Sequence, residues 1–173
     1  MTTWQWQILG QPIGKGRPRL VMGARPHVYT PHKTARWEAE AASVLATSWR
    51  FPTGLIPPLD EPVGLEVTAV FARPKCLMGK RHTDGRLPHA VRPDGDNVLK
   101  AVCDALKNAG VVRDDALIWR ATVVKLYAAR AEGPRVEVTL TTMVASSADQ
   151  PEAGVVTPSP ALRLVPSQEE TRG

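Results

Sequence analysis

Only two cysteines, Cys76 and Cys103, occur in 173 residues, and they stand 27 positions apart. That spacing builds neither a metal knuckle nor a dense disulfide framework. No stretch approaches the roughly 20 apolar residues that a membrane span needs. The opening Met1-Thr2-Thr3-Trp4-Gln5 lacks the basic region and apolar run of a secretion signal. The expectation is a cytoplasmic chain that meets no membrane and keeps both thiols reduced. Cys103 falls on a predicted helix and reads as a small buried hydrophobe. No internal repeat is present. The histidines His27, His32, His82 and His89 show no ligand spacing and read as surface or phosphate-contacting residues.

What is present is positive charge, unevenly spread. The net charge is +5, but residues 143 to 173 hold two arginines against four carboxylates, which leaves −2 there and +7 on residues 1 to 142. A basic folded part suits an anionic partner, of which nucleic acid is the commonest. The hydrophobic share of 43% is slightly low, as expected where a disordered segment dilutes a globular one.

The pattern gives the order β, α, β, α, β, β. Trp4 to Leu9 alternates as a strand, Gly10 to Arg19 is a Gly/Pro/basic loop, and Pro31 to about Trp49 is a helix with Ala35, Ala39, Ala42, Leu45 and Ala46 on its apolar side. Residues 51 to 62 are a proline-rich connection. Val63 to Ala72 is a strand, residues 73 to 93 a long polar loop, and Asp96 to about Asn108 a helix closed by Gly110. Ile118 to Ala128 and Arg135 to Thr142 are strands joined through Glu132-Gly133-Pro134, which predicts a hairpin. The fold class is α+β, with two helices on one face of a small sheet. Residues 1 to 142 form the domain. Residues 143 to 173, mostly Ser, Pro, Ala, Gln and Glu, are expected to be a disordered tail.

The chemistry concentrates in Arg92-Pro93-Asp94-Gly95-Asp96-Asn97-Val98-Leu99-Lys100, followed by Arg113-Asp114-Asp115. Pro93 fixes the chain entering this run. Gly95 lets the backbone turn so that both carboxylates face one place. Asp96 stands where a helix cap belongs, with Asp94 just ahead of the positive helix end. Lys100 is four residues beyond Asp96 and rises on the same side of the helix. The return after the helix is long enough to carry Asp114-Asp115 back toward Asp94 and Asp96. Converging carboxylates repel unless a cation sits among them, and hard oxygen donors suit Mg²⁺ or Mn²⁺ rather than zinc. Such an ion is the usual instrument of phosphodiester hydrolysis. Blander readings exist for each part: Asp96 a simple cap, Asp114-Asp115 a simple turn, Lys100 a solvated side chain. The run also has part of a calcium loop, but the required glycine and final glutamate are missing.

The run RPDGDNVLKAVCDAL, then GVVRDDALIWRATVVKLYA, resembles the RusA family of Holliday-junction resolvases, often encoded by phages and prophages. The likeness extends over most of residues 6 to 142, including Gly10 to Arg19, Tyr29-Thr30-Pro31 and Arg73-Pro74-Lys75. It implies a RusA-like fold, a small mixed sheet carrying two helices, and a homodimer that nicks a four-way DNA junction symmetrically during recombination and repair. It also implies that Asp94, Asp96 and Asp115 bind Mg²⁺, with Mn²⁺ a possible substitute, and that Lys100 is the catalytic lysine. Asp114 and Asn97 are possible supporting residues. Asp104 and Lys125 match pattern positions without a role, and Asp104 is spaced to pair with Lys100. Cys76 departs from the serine common among relatives, and nothing after Thr142 matches the family.

Lys15, Arg17, Arg19, Arg73, Lys75, Lys80, Arg81 and Arg92 are the candidate DNA contacts, against the simpler reading of solvated basic loops. Arg86 belongs to the same basic loop. The five tryptophans read as core or dimer interface, and Phe51 and Met78 are weak wedge candidates. Two rival functions stay open: a nuclease for flaps or forks, and a junction-binding protein without catalysis.

Overall fold

A computed structural model describes residues 2–17, 19–22, 27–29, 31–50 and 58–142. The tail from 143, Phe51 and most of the proline-rich connection lie outside the described residues. In chain order the elements are β1 (Thr3–Leu9), β2 (Arg19–Val21), β3 (His27–Tyr29), α1 (His32–Arg50), β4 (Val63–Phe71), β5 (Leu87–Pro88), α2 (Gly95–Asn108), β6 (Ile118–Tyr127) and β7 (Arg135–Thr142). Five of the strands form one mixed sheet in the order β1-β7-β4-β6-β5, and β2 pairs with β3 as a separate ribbon.

The predicted hairpin between β6 and β7 does not form. β4 lies between them, parallel to β6 and antiparallel to β7. The reason is burial. Val63, Leu65, Val67, Ala69, Val70 and Phe71 are all inaccessible or nearly so, and a strand that brings this much buried apolar surface to the core belongs at the centre of the sheet. The segment from Ala128 to Pro134 is long enough to pass over β4, because two strand spacings are only about 10 Å.

One face of the sheet carries the core. Trp6 and Ile8, the odd-numbered side chains of β4, and Val136, Val138 and Leu140 meet both helices there. In α1 the buried stripe is Trp37, Ala41, Leu45 and Trp49, at four-residue spacing. Ala35 and Ala39, expected on the inner side, are exposed. The tryptophans decide this rotation because each buries far more area than an alanine. Trp119, unlike the other tryptophans, is 54% exposed. In α2, Val98, Ala101, Val102, Ala105 and Leu106 face inward. Gly110, at φ +71°, ends the helix. Val111 N–H donates to Leu106 O and Gly110 N–H to Lys107 O, the paired closure that a left-handed glycine allows.

Arg86, expected among the basic loop residues, is instead a structural tie. Its guanidinium donates to both Glu132 and Glu137, and Arg135 donates to the same two carboxylates. Arg86 foremost, with the Ala129 amide and Arg135, holds the Glu132 carboxyl down at about 2 from an ordinary 4.5. A depressed carboxyl contributes stability in full above about pH 4.5, and that contribution drains as pH falls toward about 2. Arg86→Gln should therefore melt below wild type at pH 6, with the gap narrowing by pH 3. Thermal melts across that range check this, and an equal gap at both ends would uncouple the tie from ionisation.

Candidate active site

Strand β4, helix α2 and strand β6 form a parallel crossover, so α2 begins where β4 and β6 end. At such a junction the first helical N–H groups are unpaired and the helix dipole is positive, which favours anions. The helix starts earlier than expected: Asp94 is the cap, at φ −68° and ψ 150°, and Gly95 is the first helical residue. Gly95 does not supply a turn. Its value is the missing side chain, since a Cβ there would lie 3.1 Å from Val123 Cγ1. Asp96 then sits in the first turn rather than at the cap. Asp94 makes no side-chain capping bond, so its carboxylate is not consumed by the helix. Asp96 and Lys100 rise together, with Lys100 Nζ 3.8 Å from Asp96 Oδ2 and both side chains about two-thirds exposed at 66%.

Lys125, which had no role in the sequence, anchors the approach to this pair. Its ammonium donates to Val91 O and Pro93 O, each at 2.7 Å. Its own carbonyl accepts from His89 N–H at 3.0 Å. His89, expected at the surface, is buried against Phe71 and Tyr127, with ring centroids 3.9 and 4.6 Å away. Burial first, then the Lys125 charge, lowers its pKa. One strand lysine thus ties down Val91 and Pro93, just ahead of Asp94.

Asp115 stands elsewhere. Gly95 lies against Val123 in the middle of β6, whereas Asp115 precedes Ile118 at the start of the same strand. The intervening residues of β6 span about 16 Å. The return loop lies along the far half of α2, where Lys107 Nζ is 3.0 Å from Asp114 and 3.9 Å from Asp115. The Ala116 amide, then Lys107 and Asp115, hold the Asp114 carboxyl at about 2. Among the described residues no three His, Cys, Asp or Glu side chains are placed to hold a metal. Within one chain, Asp114 and Asp115 are therefore not gathered with Asp94 and Asp96 into a metal-holding group among the described residues. Two exposed carboxylates at a helix start still fit a hard divalent cation, which commonly takes one or two protein carboxylates and fills its shell with water and phosphate oxygens.

The basic residues divide. Arg17, Arg92, Lys75, Lys80 and Arg81 are exposed and carry no ion pair among the described residues. Gly14, Lys15, Arg17, Arg92, Pro93, Asp94 and Asn97 line an open groove of about 690 Å³ beside the carboxylates. Arg73 is committed to the loop, donating to Thr83 O at 2.9 Å and to Gly85 O. The Arg19 side chain lies outside the described residues. Asp104 pairs with Lys15, not with Lys100. Cys103 is partly buried, and its thiol is pushed up to about 11 by burial and then by the Asp115 and Asp104 charges. Cys76 and Met78 are exposed on the loop.

A family model described as "Endodeoxyribonuclease RusA" matches residues 10–141. An uncharacterized protein of Bacillus subtilis (strain 168), YqaN, is 29% identical over 140 residues, covering 78% of this chain and 92% of that protein. The crossover junction endodeoxyribonuclease RusA of Aquifex aeolicus (strain VF5) is 24% identical over 127 residues, covering 73% of this chain and 83% of that protein. No helix among the described residues is long and apolar enough to cross a membrane.

Proposed function

The chain belongs to the RusA endodeoxyribonuclease family, and on that footing we propose that it is a magnesium-dependent nuclease that resolves four-way DNA junctions as a homodimer. The observation that carries this reading is the start of α2. Asp94 and Asp96 stand there with Lys100, uncommitted to the fold, beside a groove bearing Arg17 and Arg92. Mg²⁺, or Mn²⁺ in its place, would be held by Asp94 and Asp96, and when bound it supplies charge neutralisation and an activated water. Arg17 and Arg92 draw in the backbone phosphates. Lys100 steadies the charge that grows on the scissile phosphate. The Lys125 tether keeps Asp94 in place.

The position of Asp115 supports a dimer. A site that uses all three aspartates draws Asp115 from a second copy. The edge of β6 offers a place for that copy: β5 pairs only with Leu126 and Tyr127 and the His89 amide reaches Lys125 O, so Ile118 to Val124 are unpaired on that side among the described residues. Trp119 and Val124 are exposed there, at 54% and 44%. An unpaired strand edge invites another chain, and a two-fold dimer matches a substrate cut at two equivalent strands.

The test is cleavage of a labelled four-way junction beside a flap and a linear duplex, in Mg²⁺. Paired symmetric nicks confined to the junction support resolution. Cutting of flap or duplex would keep the nuclease and remove the junction specificity. Lys125→Met, which keeps side-chain length but loses the donors to Val91 and Pro93, should slow single-turnover cleavage by about 10- to 100-fold, the cost of a displacement of about 1 Å at a reacting centre. A wild-type rate in that variant would remove Lys125 from the positioning of Asp94.

A further inference from the structure

The Gly14-Lys15-Gly16 segment lies between the starts of the two helices and touches both. Lys15 N–H donates to Asn97 O at 2.8 Å, and Gly16 N–H donates to Thr34 Oγ1 at 3.3 Å. The two glycines are there for closeness. A Cβ on Gly14 would fall 2.6 Å from Pro93 Cβ and 3.3 Å from Asn97 Cβ. A Cβ on Gly16 would fall 2.9 Å from Pro31 Cγ and 3.1 Å from Thr34 Oγ1. Neither position accepts a side chain without parting the elements it joins.

Between the glycines, the Lys15 side chain turns inward. Its ammonium is hydrogen-bonded to Asp104 of α2 and lies 3.4 Å from Glu38 Oε1 of α1. Glu38 is buried, and that oxygen has no hydrogen bond. Burial by itself would lower the Lys15 pKa, but Asp104 and Glu38 together raise it. A buried carboxylate facing one cation makes that cation costly to withdraw. Lys15 is therefore committed to protein, although it borders the groove.

We propose that Gly14-Lys15-Gly16 is a clasp that sets the first turn of α2 against α1, and that Lys15 is a positioning residue for Asp94 and Asp96 rather than a phosphate contact. Arg17, one residue beyond the clasp and exposed, is the phosphate contact of this loop. The inference rests on the nuclease reading above.

The experiment is a double-mutant cycle in the full chain with Lys15→Met and Asp104→Asn, beside Arg17→Met and Lys15→Arg. Each clasp variant should slow single-turnover junction cleavage about tenfold, and the pair together should be no slower than either one. Neither should change how steeply junction affinity falls with salt. Arg17→Met should lower that salt slope by about one. Lys15→Arg should recover most of the rate. A reduced slope in Lys15→Met, or additive losses in the pair, would overturn the clasp and make Lys15 a DNA contact. Amide exchange over residues 93–100 keeps the two readings apart. Should wild type cut no DNA, the nuclease reading fails, yet Lys15→Met still speeds exchange there if the clasp is real. Unchanged exchange would overturn it.

Discussion

Replacing Asp96 by asparagine should lower the single-turnover rate of junction cleavage by a factor of about 10³ or more, the scale on which losing a transition-state electrostatic partner or an essential metal ligand is felt. Binding should survive. Asp96 is 66% exposed and its one near partner is Lys100 at 3.8 Å, so the substitution removes little that holds α2 together. In EDTA the affinity for a junction should stay the same or tighten, because one negative charge beside the phosphates is gone. Melting temperature, junction affinity and rate, measured together on one preparation, separate these effects. A variant that cuts at the wild-type rate, or one that loses binding in step with cleavage, would take Asp96 out of the chemistry.

The second large effect concerns Asp115. Asp96→Asn and Asp115→Asn should each be inactive when assembled alone. Mixed and allowed to exchange subunits, the two dead proteins should regain cleavage. About half of the dimers are then hybrids if exchange is random. If Asp115 completes the site of its partner, each hybrid holds one site with every aspartate intact and one doubly damaged site. The hybrids should nick one strand of the junction and leave the symmetric strand whole. Were Asp115 to serve its own chain, every site in a hybrid would carry a lesion and the mixture would stay inactive. Nick mapping on both strands reads the difference, and an inactive mixture would contradict the shared site.

The division between what the residues disclosed and what they did not follows from range. Local signals were sufficient for α2, whose apolar positions Val98, Val102, Ala105 and Leu106 fall on one face and whose end is closed by Gly110. They also sufficed for the strand periods and for the proximity of Asp96 and Lys100, which stand about one helical turn apart. Non-local facts were not legible. That β4 separates β6 from β7 depends on how much apolar surface each strand brings to the whole sheet, which the turn residues Glu132-Gly133-Pro134 do not report. The two-residue strand β5 and the ribbon of β2 and β3 are too short for period counting. Asp115 was the costliest case, because sequence spacing bounded its reach without fixing which part of β6 lies beside the start of α2. Basic residues were misleading in a related way. A lysine or arginine on a polar loop looks the same whether it faces solvent, as Arg92 does, or closes an internal network, as Arg73 and Arg86 do. The signal that pointed inward was the pair of glycines around Lys15, since closely approaching backbones require them.

The most direct measurement begins with protein and a four-way junction assembled in EDTA, so that binding is complete before any metal arrives. Excess Mg²⁺ is then added and both strands are followed in time. Symmetric nicks that appear only after the addition, and fail to appear in the Asp96→Asn complex, are the predicted result. A bound junction that stays uncut in Mg²⁺ and in Mn²⁺, or one already cut in EDTA, would contradict a metal-dependent nuclease built on Asp94 and Asp96.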